Sequence, residues 1–167
     1  MAKINHGGKD ILCTIVDSDQ MTIDSFESSG SSSMDVEGIR ADVSSKKVVF
    51  LADDSRVVRR LFGKVCTKLG VNHHIFENGK ELLDAVTSLD IDEVGLIVTD
   101  IEMPVKSGQD VIRELRENKK FDDIKIIVHT NMANKVMEKE LLDTGADAIV
   151  GKIDTTALAN AIRANIR

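Results

Sequence analysis

The chain has 167 residues, of which 42% are hydrophobic and 30% are charged, enough for one ordinary domain and about 45 further residues. Its formal net charge of −6 argues against binding to nucleic acid or to an anionic membrane through a positive surface. Its apolar runs are too short to cross a bilayer, and the N-terminus lacks the apolar stretch of a signal peptide. We therefore expect a soluble, cytoplasmic protein without membrane insertion.

The first 45 residues differ from the rest in charge and pattern. They carry three basic and eight acidic residues, so most of the net negative charge lies here. Residues 27–45 are rich in serine and acidic residues and have no apolar period, which predicts a flexible linker. Before the linker, the apolar run Ile11–Val16 predicts a strand. Because a lone strand is unstable, it either pairs outside this domain or is left over from a larger unit.

After the linker, apolar strands alternate with segments of helical periodicity. The strands are short and almost wholly apolar, which is typical of a parallel sheet buried on both faces. Five such units with right-handed connections predict an α/β fold with a doubly wound parallel sheet, whose ligand site lies at the carboxyl ends of the strands. The predicted strands and helices are, in chain order, Lys47–Ala52, Ser55–Leu69, His73–Phe76, Gly79–Leu89, Val94–Thr99, Gln109–Asn118, Lys125–Val128, Ala133–Asp143, Ala148–Val150 and Thr155–Ile166.

Carboxylates follow two of these strands directly. Asp53 and Asp54 come after the first strand beyond the linker, and Asp100 comes after the third. If these strands are neighbours, three carboxylates meet at one edge of the sheet and raise one another's pKa unless a cation relieves the repulsion. Oxygen ligands of this kind suit Mg²⁺. Carboxylates and metal together would form a place to hold a phosphoryl group.

This arrangement resembles the receiver domain of two-component response regulators. The segment Asp100–Gly108 reads Asp-Ile-Glu-Met-Pro-Val-Lys-Ser-Gly, which is similar to the phosphorylation loop of that family. Thr130 follows the fourth strand and Lys152 the fifth, where the family has a hydroxyl residue and a lysine. The resemblance covers residues 46–167. It implies a flavodoxin-like, CheY-like fold with strand order 2-1-3-4-5 and a phosphoacceptor signalling domain rather than an enzyme.

The resemblance also implies a role for each site residue. Asp100 would accept the phosphoryl group, Thr130 would donate a hydrogen bond to one phosphoryl oxygen, and Lys152 would neutralise another. Taken singly, an aspartate pair is usually a turn or a helix cap, and a lysine at a strand end is usually a surface residue. The full set, in the right order at the right strand ends, favours the receiver. The implied Mg²⁺ ligands are Asp53, Asp54, Asp100 and the backbone carbonyl of Glu102.

A narrower resemblance is to CheV-type chemotaxis proteins, which join an N-terminal CheW-like coupling domain to a C-terminal receiver. It implies that residues 1–26 are the remnant of a coupling domain and the chain is a fragment. The alternative is an unstructured leader that happens to contain apolar residues. The implied partners are a histidine kinase of the CheA type and proteins of the chemoreceptor array. The segments that carry this resemblance are Leu51–Arg56, Thr99–Pro104, Ile127–Thr130, Gly145–Ala148 and, for the coupling domain, Gly8–Asp17.

Other functions stay open from the sequence. A receiver without its coupling domain would serve as a stand-alone phosphate sink, or would bind partners without being phosphorylated. A phosphohydrolase with an aspartyl-phosphate intermediate is the rival from another class. Against it, Asp53-Asp54-Ser55 replaces the Asp-x-Asp pattern of haloacid-dehalogenase-like enzymes, and the chain shows no cap domain.

Several positions depart from the usual receiver pattern. Ile153 follows Lys152 where many receivers have proline, so we expect a differently shaped loop. Ile149 lies where many receivers carry an aromatic switch residue, so we expect altered signalling through the fourth helix and fifth strand. Glu102 and Met132 lie near the site and are expected to tune the lifetime of the phosphoryl group. Elsewhere we expect His129 at the core edge, with a partner contact as the alternative, His73 and His74 in a strand, and Cys13 and Cys66 as buried thiols.

Overall fold

The computed structural model describes residues 2–6, 9–13, 38–39, 43, 45–131, 134–152 and 154–166, the first two ranges by their backbone alone. The chain divides into two compact units, residues 1–31 and 32–167. In the first unit, β1 (Ala2–His6) pairs antiparallel with β2 (Lys9–Cys13). The predicted strand Ile11–Val16 overlaps β2 at residues 11–13 and has a partner strand within this chain; residues 14–16 lie outside the described residues. The dipeptide Gly7-Gly8 between the two strands is a hairpin signal that the apolar pattern did not reveal.

The second unit contains a five-stranded parallel sheet whose strands alternate with helices. Its elements are β3 (Val48–Ala52), α1 (Arg56–Leu69), β4 (Asn72–Phe76), α2 (Gly79–Ser88), β5 (Val94–Thr99), α3 (Gly108–Glu117), β6 (Ile126–His129), α4 (Lys135–Thr144), β7 (Ala148–Val150) and α5 (Thr155–Asn165). The spatial order is β4-β3-β5-β6-β7, which is 2-1-3-4-5 within this unit. The predicted doubly wound sheet and its strand order are confirmed.

Helices cover both faces of the sheet. Helices α2, α3 and α4 pack on one face, where Phe50 and Ile97 point, and α1 and α5 pack on the other, where Leu51 and Val98 point. The central strand β5 is buried along all six residues, because it has neighbours on both edges and helices above and below. This explains the continuous apolar runs in the sequence.

The residues at the helix ends determine where each helix begins and ends. The Ser55 side chain caps the start of α1 by accepting a hydrogen bond from the Val58 amide. Gly70 and Gly145 end α1 and α4 with φ of 76° and 117°, in the left-handed region that favours glycine. These caps therefore fix where the loops between the helices and the strands begin and end.

Residues outside the sheet and its helices also contact the core. Ile39 and Val43, in the predicted linker, are partly buried against the apolar cluster on the α1 and α5 side. The Cys66 thiol is buried as predicted, and burial raises its pKa to about 12; the Cys13 side chain lies outside the described residues. None of the helices described is long and apolar enough to span a membrane. His73 and His74 lie in β4, as predicted.

Candidate functional site

The carboxyl ends of β3 and β5 bring the predicted aspartates together. Ala52 lies opposite Thr99, and the Asp100 amide donates to the Ala52 carbonyl at 2.9 Å, so the loops after both strands begin side by side. One carboxylate oxygen from each of Asp53, Asp54 and Asp100 can be chosen so that all lie within 4.8 Å of one another. Three carboxylates at this spacing could hold a metal ion.

Lys152, just beyond β7, connects two of these carboxylates. Its Nζ lies 2.6 Å from Asp100 Oδ2 and 3.0 Å from Asp53 Oδ2, and its side chain is 12% exposed. Burial opposes the charged ammonium, but the hydrogen bond to Asp100 and the charge of Asp53 outweigh it and raise the pKa of Lys152. The site therefore holds a persistent positive charge against its aspartates.

Asp53 is fully buried and only partly neutralised. Burial raises the pKa of its carboxyl from 3.8 to about 6, although the Lys152 charge and the Ser55 amide act in the opposite direction. The Ser55 amide donates to Oδ1 at 2.8 Å. Oδ2 forms an ion pair with Lys152 Nζ at 3.0 Å, but it accepts no well-aligned hydrogen bond. A buried carboxylate oxygen that accepts no well-aligned hydrogen bond is a fitting ligand for a hard cation, so the residues present suit Mg²⁺.

The loop after β5 is built tightly around Asp100. The Ile101 amide donates to Asp100 Oδ1 at 2.7 Å, and the Thr99 hydroxyl donates to the Asp100 carbonyl at 2.9 Å. Helix α3 begins at Gly108, where a Cβ would lie 1.9 Å from that same carbonyl oxygen. Glycine is therefore required at the end of the Asp100–Gly108 segment, because any side chain would push the loop away from α3.

The remaining predicted residues are placed less completely. Thr130 is buried at the end of β6, where its amide donates to the Val150 carbonyl at 3.0 Å. Glu102 is exposed two residues beyond Asp100, so its side chain faces solvent near the site. Ile149 is partly buried and packs against the apolar cluster on the α2 to α4 side. Met132 and Ile153 lie outside the described residues, and the proposals about them stay predictions.

Two residues near the site were not recognised as part of it from the sequence. His129 is 1% exposed, deeper than the core edge where we expected it, and neither of its ring nitrogens has a hydrogen-bond partner. Burial, followed by the charge of Lys152, lowers its pKa to about 4. Arg59, in the first turn of α1, binds the backbone of both Asp53 and Asp54. Because helical side chains point back toward the N-terminus, an arginine in the first turn of α1 can reach the residues that precede the helix. The position of Arg59 was therefore the signal available in the sequence.

Comparison with known proteins identifies the family. The family model described as the response regulator receiver domain matches residues 49–163. Chemotaxis protein CheV1 of Helicobacter pylori is 35% identical over 144 residues, which are 84% of this chain and 44% of CheV1. A chemotaxis protein CheY homolog of Campylobacter jejuni is 29% identical over 105 residues, 62% of this chain and 79% of that protein.

Solved structures agree on the fold. Chemotaxis protein CheY4 of Vibrio cholerae matches with a TM-score of 0.66 at 19% identity, covering 73% of this chain and 100% of that one. At this identity the likeness shows the fold alone. The chain spans 44% of CheV1 and 36% of the related CheV2 of Helicobacter pylori, so it corresponds to less than half of either. The chain belongs to the response regulator receiver family of two-component signalling, with chemotaxis proteins of the CheV and CheY types among its relatives.

Proposed function

We propose that the chain is a phosphoacceptor of chemotaxis signalling, in which Asp100 takes a phosphoryl group from a histidine kinase of the CheA type. The observation that carries this proposal is the cluster of three carboxylates within 4.8 Å, beside a lysine that contacts two of them. The similarity to CheV1 and to a CheY homolog supports chemotaxis as the setting. Docking to the kinase and to chemoreceptor array proteins, in the cytoplasm, is part of the same proposal.

The chemistry follows from the residues around Asp100. A carboxylate oxygen of Asp100 attacks the phosphorus of a phosphohistidine, so that a P–O bond forms, the P–N bond breaks and the departing imidazole takes up a proton. Lys152 Nζ, already 2.6 Å from Asp100 Oδ2, would stay beside the acyl phosphate and neutralise a phosphoryl oxygen. Thr130, at the end of the neighbouring strand β6, would donate its hydroxyl to another oxygen.

Mg²⁺ would be held by Asp53, Asp54, Asp100 and the backbone carbonyl of Glu102. When bound, it would offset the charge that the phosphoryl group adds to a cluster of carboxylates. The buried Oδ2 of Asp53, which accepts no well-aligned hydrogen bond, supports this assignment, because a cation would provide the partner that it lacks. Without the cation, Lys152 would have to offset the repulsion between the three aspartates and the incoming phosphoryl group.

Phosphorylation would then change protein–protein contacts at the face of α4, β7 and α5. Ile149 in β7 is aliphatic and partly buried, so it cannot repeat the rotamer change of an aromatic switch residue with a hydroxyl tip. Val136 and Leu142 are exposed apolar residues of α4. We propose contact modulation through α4 packing rather than through an aromatic ring.

The test is phosphorylation by acetyl phosphate with Mg²⁺, followed by intact mass. We expect one added phosphoryl group on the wild-type chain and none on Asp100→Asn. Asp143→Asn is the matched control, because Asp143 is an exposed aspartate of α4 and its loss should leave the added mass unchanged. A chain that is folded by circular dichroism yet gains no mass in Mg²⁺ would show that it is not a phosphoacceptor. Transfer from a purified CheA-type kinase then tests the partner.

A further inference from the structure

Arg59 binds both peptide units that carry the paired aspartates. Its Nη1 donates to the Asp53 carbonyl at 2.9 Å and to the Asp54 carbonyl at 2.8 Å. Its Nη2 pairs with Glu77 Oε1 at 2.7 Å, directly after β4. The Arg59 side chain is 16% exposed. One guanidinium therefore joins the end of β3, the start of α1 and the end of β4.

The two aspartates depend on this contact to different degrees. Asp53 is buried, and its carboxylate is fixed by the Ser55 amide and by Lys152. Asp54 is exposed, so packing does not hold its side chain. The direction in which the Asp54 carboxylate leaves the chain is set by its backbone, and the Asp54 carbonyl is held by Arg59. A planar guanidinium can hold two carbonyls and a carboxylate in one fixed geometry, which a lysine ammonium cannot do.

We infer that Arg59 is a positioning residue for the cation site, which orients Asp54, and to a lesser degree Asp53, toward the bound ion. The inference rests on the proposed function, since it assigns a role to Arg59 only if these carboxylates bind Mg²⁺. Groups that orient metal ligands without touching the metal typically change its affinity by about 10- to 100-fold when they are replaced. Arg59 is placed to have such an effect through the backbone.

The charge of Arg59 and its hydrogen-bonding geometry predict opposite effects on the affinity for Mg²⁺, so a binding measurement distinguishes them. A cation beside a cation site repels the ion, so removing Arg59 should strengthen Mg²⁺ binding if charge alone matters. If Arg59 acts by holding the Asp53 and Asp54 carbonyls, removing it should weaken binding. The ion pair with Glu77 offsets part of the Arg59 charge, which leaves the geometric effect dominant.

The experiment measures the dissociation constant for Mg²⁺ alone by isothermal titration calorimetry on the whole, unphosphorylated chain. The variants are Arg59→Met and, as the matched control, Arg60→Met, which removes the exposed neighbouring charge of the same helix. We expect Arg59→Met to weaken Mg²⁺ binding by about tenfold or more and Arg60→Met to leave it unchanged. Urea unfolding in EDTA, followed by far-ultraviolet circular dichroism, separates affinity from stability.

Each outcome decides the question. If the wild type binds Mg²⁺ and Arg59→Met binds it equally or more tightly, Arg59 is not a positioning residue, although the proposed function stands. A lower unfolding midpoint with an unchanged dissociation constant overturns the inference in the same way. If the wild type does not bind Mg²⁺, both fail. Should Arg59→Met not fold, Arg59→Lys replaces it: weaker binding supports the inference, and wild-type affinity overturns it.

Discussion

The buried imidazole of His129 provides the most demanding test of the structure, through the variant His129→Leu. Both ring nitrogens are buried without a hydrogen-bond partner. Leaving a buried polar group unsatisfied costs about 1–3 kcal/mol, whereas an apolar side chain of similar size has no such penalty. We therefore expect His129→Leu to raise the free energy of unfolding by about 1–2 kcal/mol near neutral pH.

The stability that His129→Leu gains over the wild type should grow as the pH falls. Burial, with the charge of Lys152, lowers the pKa of His129 from 6.5 to about 4. Between these two values the unfolded chain binds a proton that the folded chain does not, so the wild type loses stability as the pH falls below 6.5. The loss is about 1.4 kcal/mol per pH unit and approaches about 3 kcal/mol near pH 4. Above pH 6.5 His129 is neutral in both the folded and the unfolded chain, so this loss of stability is absent.

The pH dependence of the wild-type unfolding free energy must be compared with that of His129→Leu, because the titration of Asp53 changes stability in the opposite direction. Burial raises its pKa from 3.8 to about 6, so between these values the folded chain binds the proton more tightly. This group therefore adds stability as the pH falls. The two effects partly cancel in the wild type alone. The difference between His129→Leu and the wild type removes the Asp53 contribution and isolates that of His129.

The assay is urea unfolding in EDTA, followed by far-ultraviolet circular dichroism because the chain has no Trp or Tyr. Unfolding free energies are compared at several values between about pH 7.5 and about pH 5. His74→Leu is the matched control; it should not reproduce the gain near neutral pH, because His74 is exposed. A His129→Leu variant that is less stable than the wild type, or whose advantage stays constant as the pH falls, would refute the reasoning.

Three further substitutions test the fold around the site, each by urea unfolding. Val105 has a φ of 68° and is 77% exposed, so Val105→Asn should add about 1 kcal/mol by relieving left-handed strain in a β-branched residue. Gly108→Ala should cost at least about 2 kcal/mol and reduce phosphorylation of Asp100, since a Cβ would lie 1.9 Å from the Asp100 carbonyl; normal phosphorylation would contradict this. Arg116→Met should cost about 3 kcal/mol, because it removes the guanidinium that pairs with Asp147, 2.7 Å away, and donates to three backbone carbonyls; a cost under about 1 kcal/mol would contradict this.

The sequence predicted most of the sheet because each strand obeys a local rule. Short apolar runs between helical segments are sufficient for a parallel sheet, and the caps at Ser55, Gly70 and Gly145 follow from residue type. The strand order came from the family resemblance. The cluster of Asp53, Asp54 and Asp100 then followed, since neighbouring parallel strands end at the same edge.

The contacts that the sequence did not predict depend on distances across the fold. The salt bridge from Arg59 reaches Glu77 beyond the next strand, and no periodicity couples these two residues. The burial of His129 depends on the helices that cover β6 on both faces, so a polar residue at the strand end was placed too near the surface. The β1–β2 hairpin was missed because its first strand is too polar to show an apolar run.

The unsatisfied groups of the described structure concentrate at one edge of the sheet, which supports the site independently of any relative. Asp53 Oδ2 and the two nitrogens of His129 are the buried side-chain atoms without hydrogen-bond partners among the described residues. Val105, the non-glycine residue with positive φ in that part of the chain, lies in the loop after Asp100. Asp53, His129 and Val105 all lie at the carboxyl end of a strand or in the loop that follows it. Such departures from local rules cost stability and are typical of functional sites, whereas the caps at the helix ends elsewhere are regular. The physical chemistry of the chain alone therefore supports the proposed site at the edge where Asp100 lies.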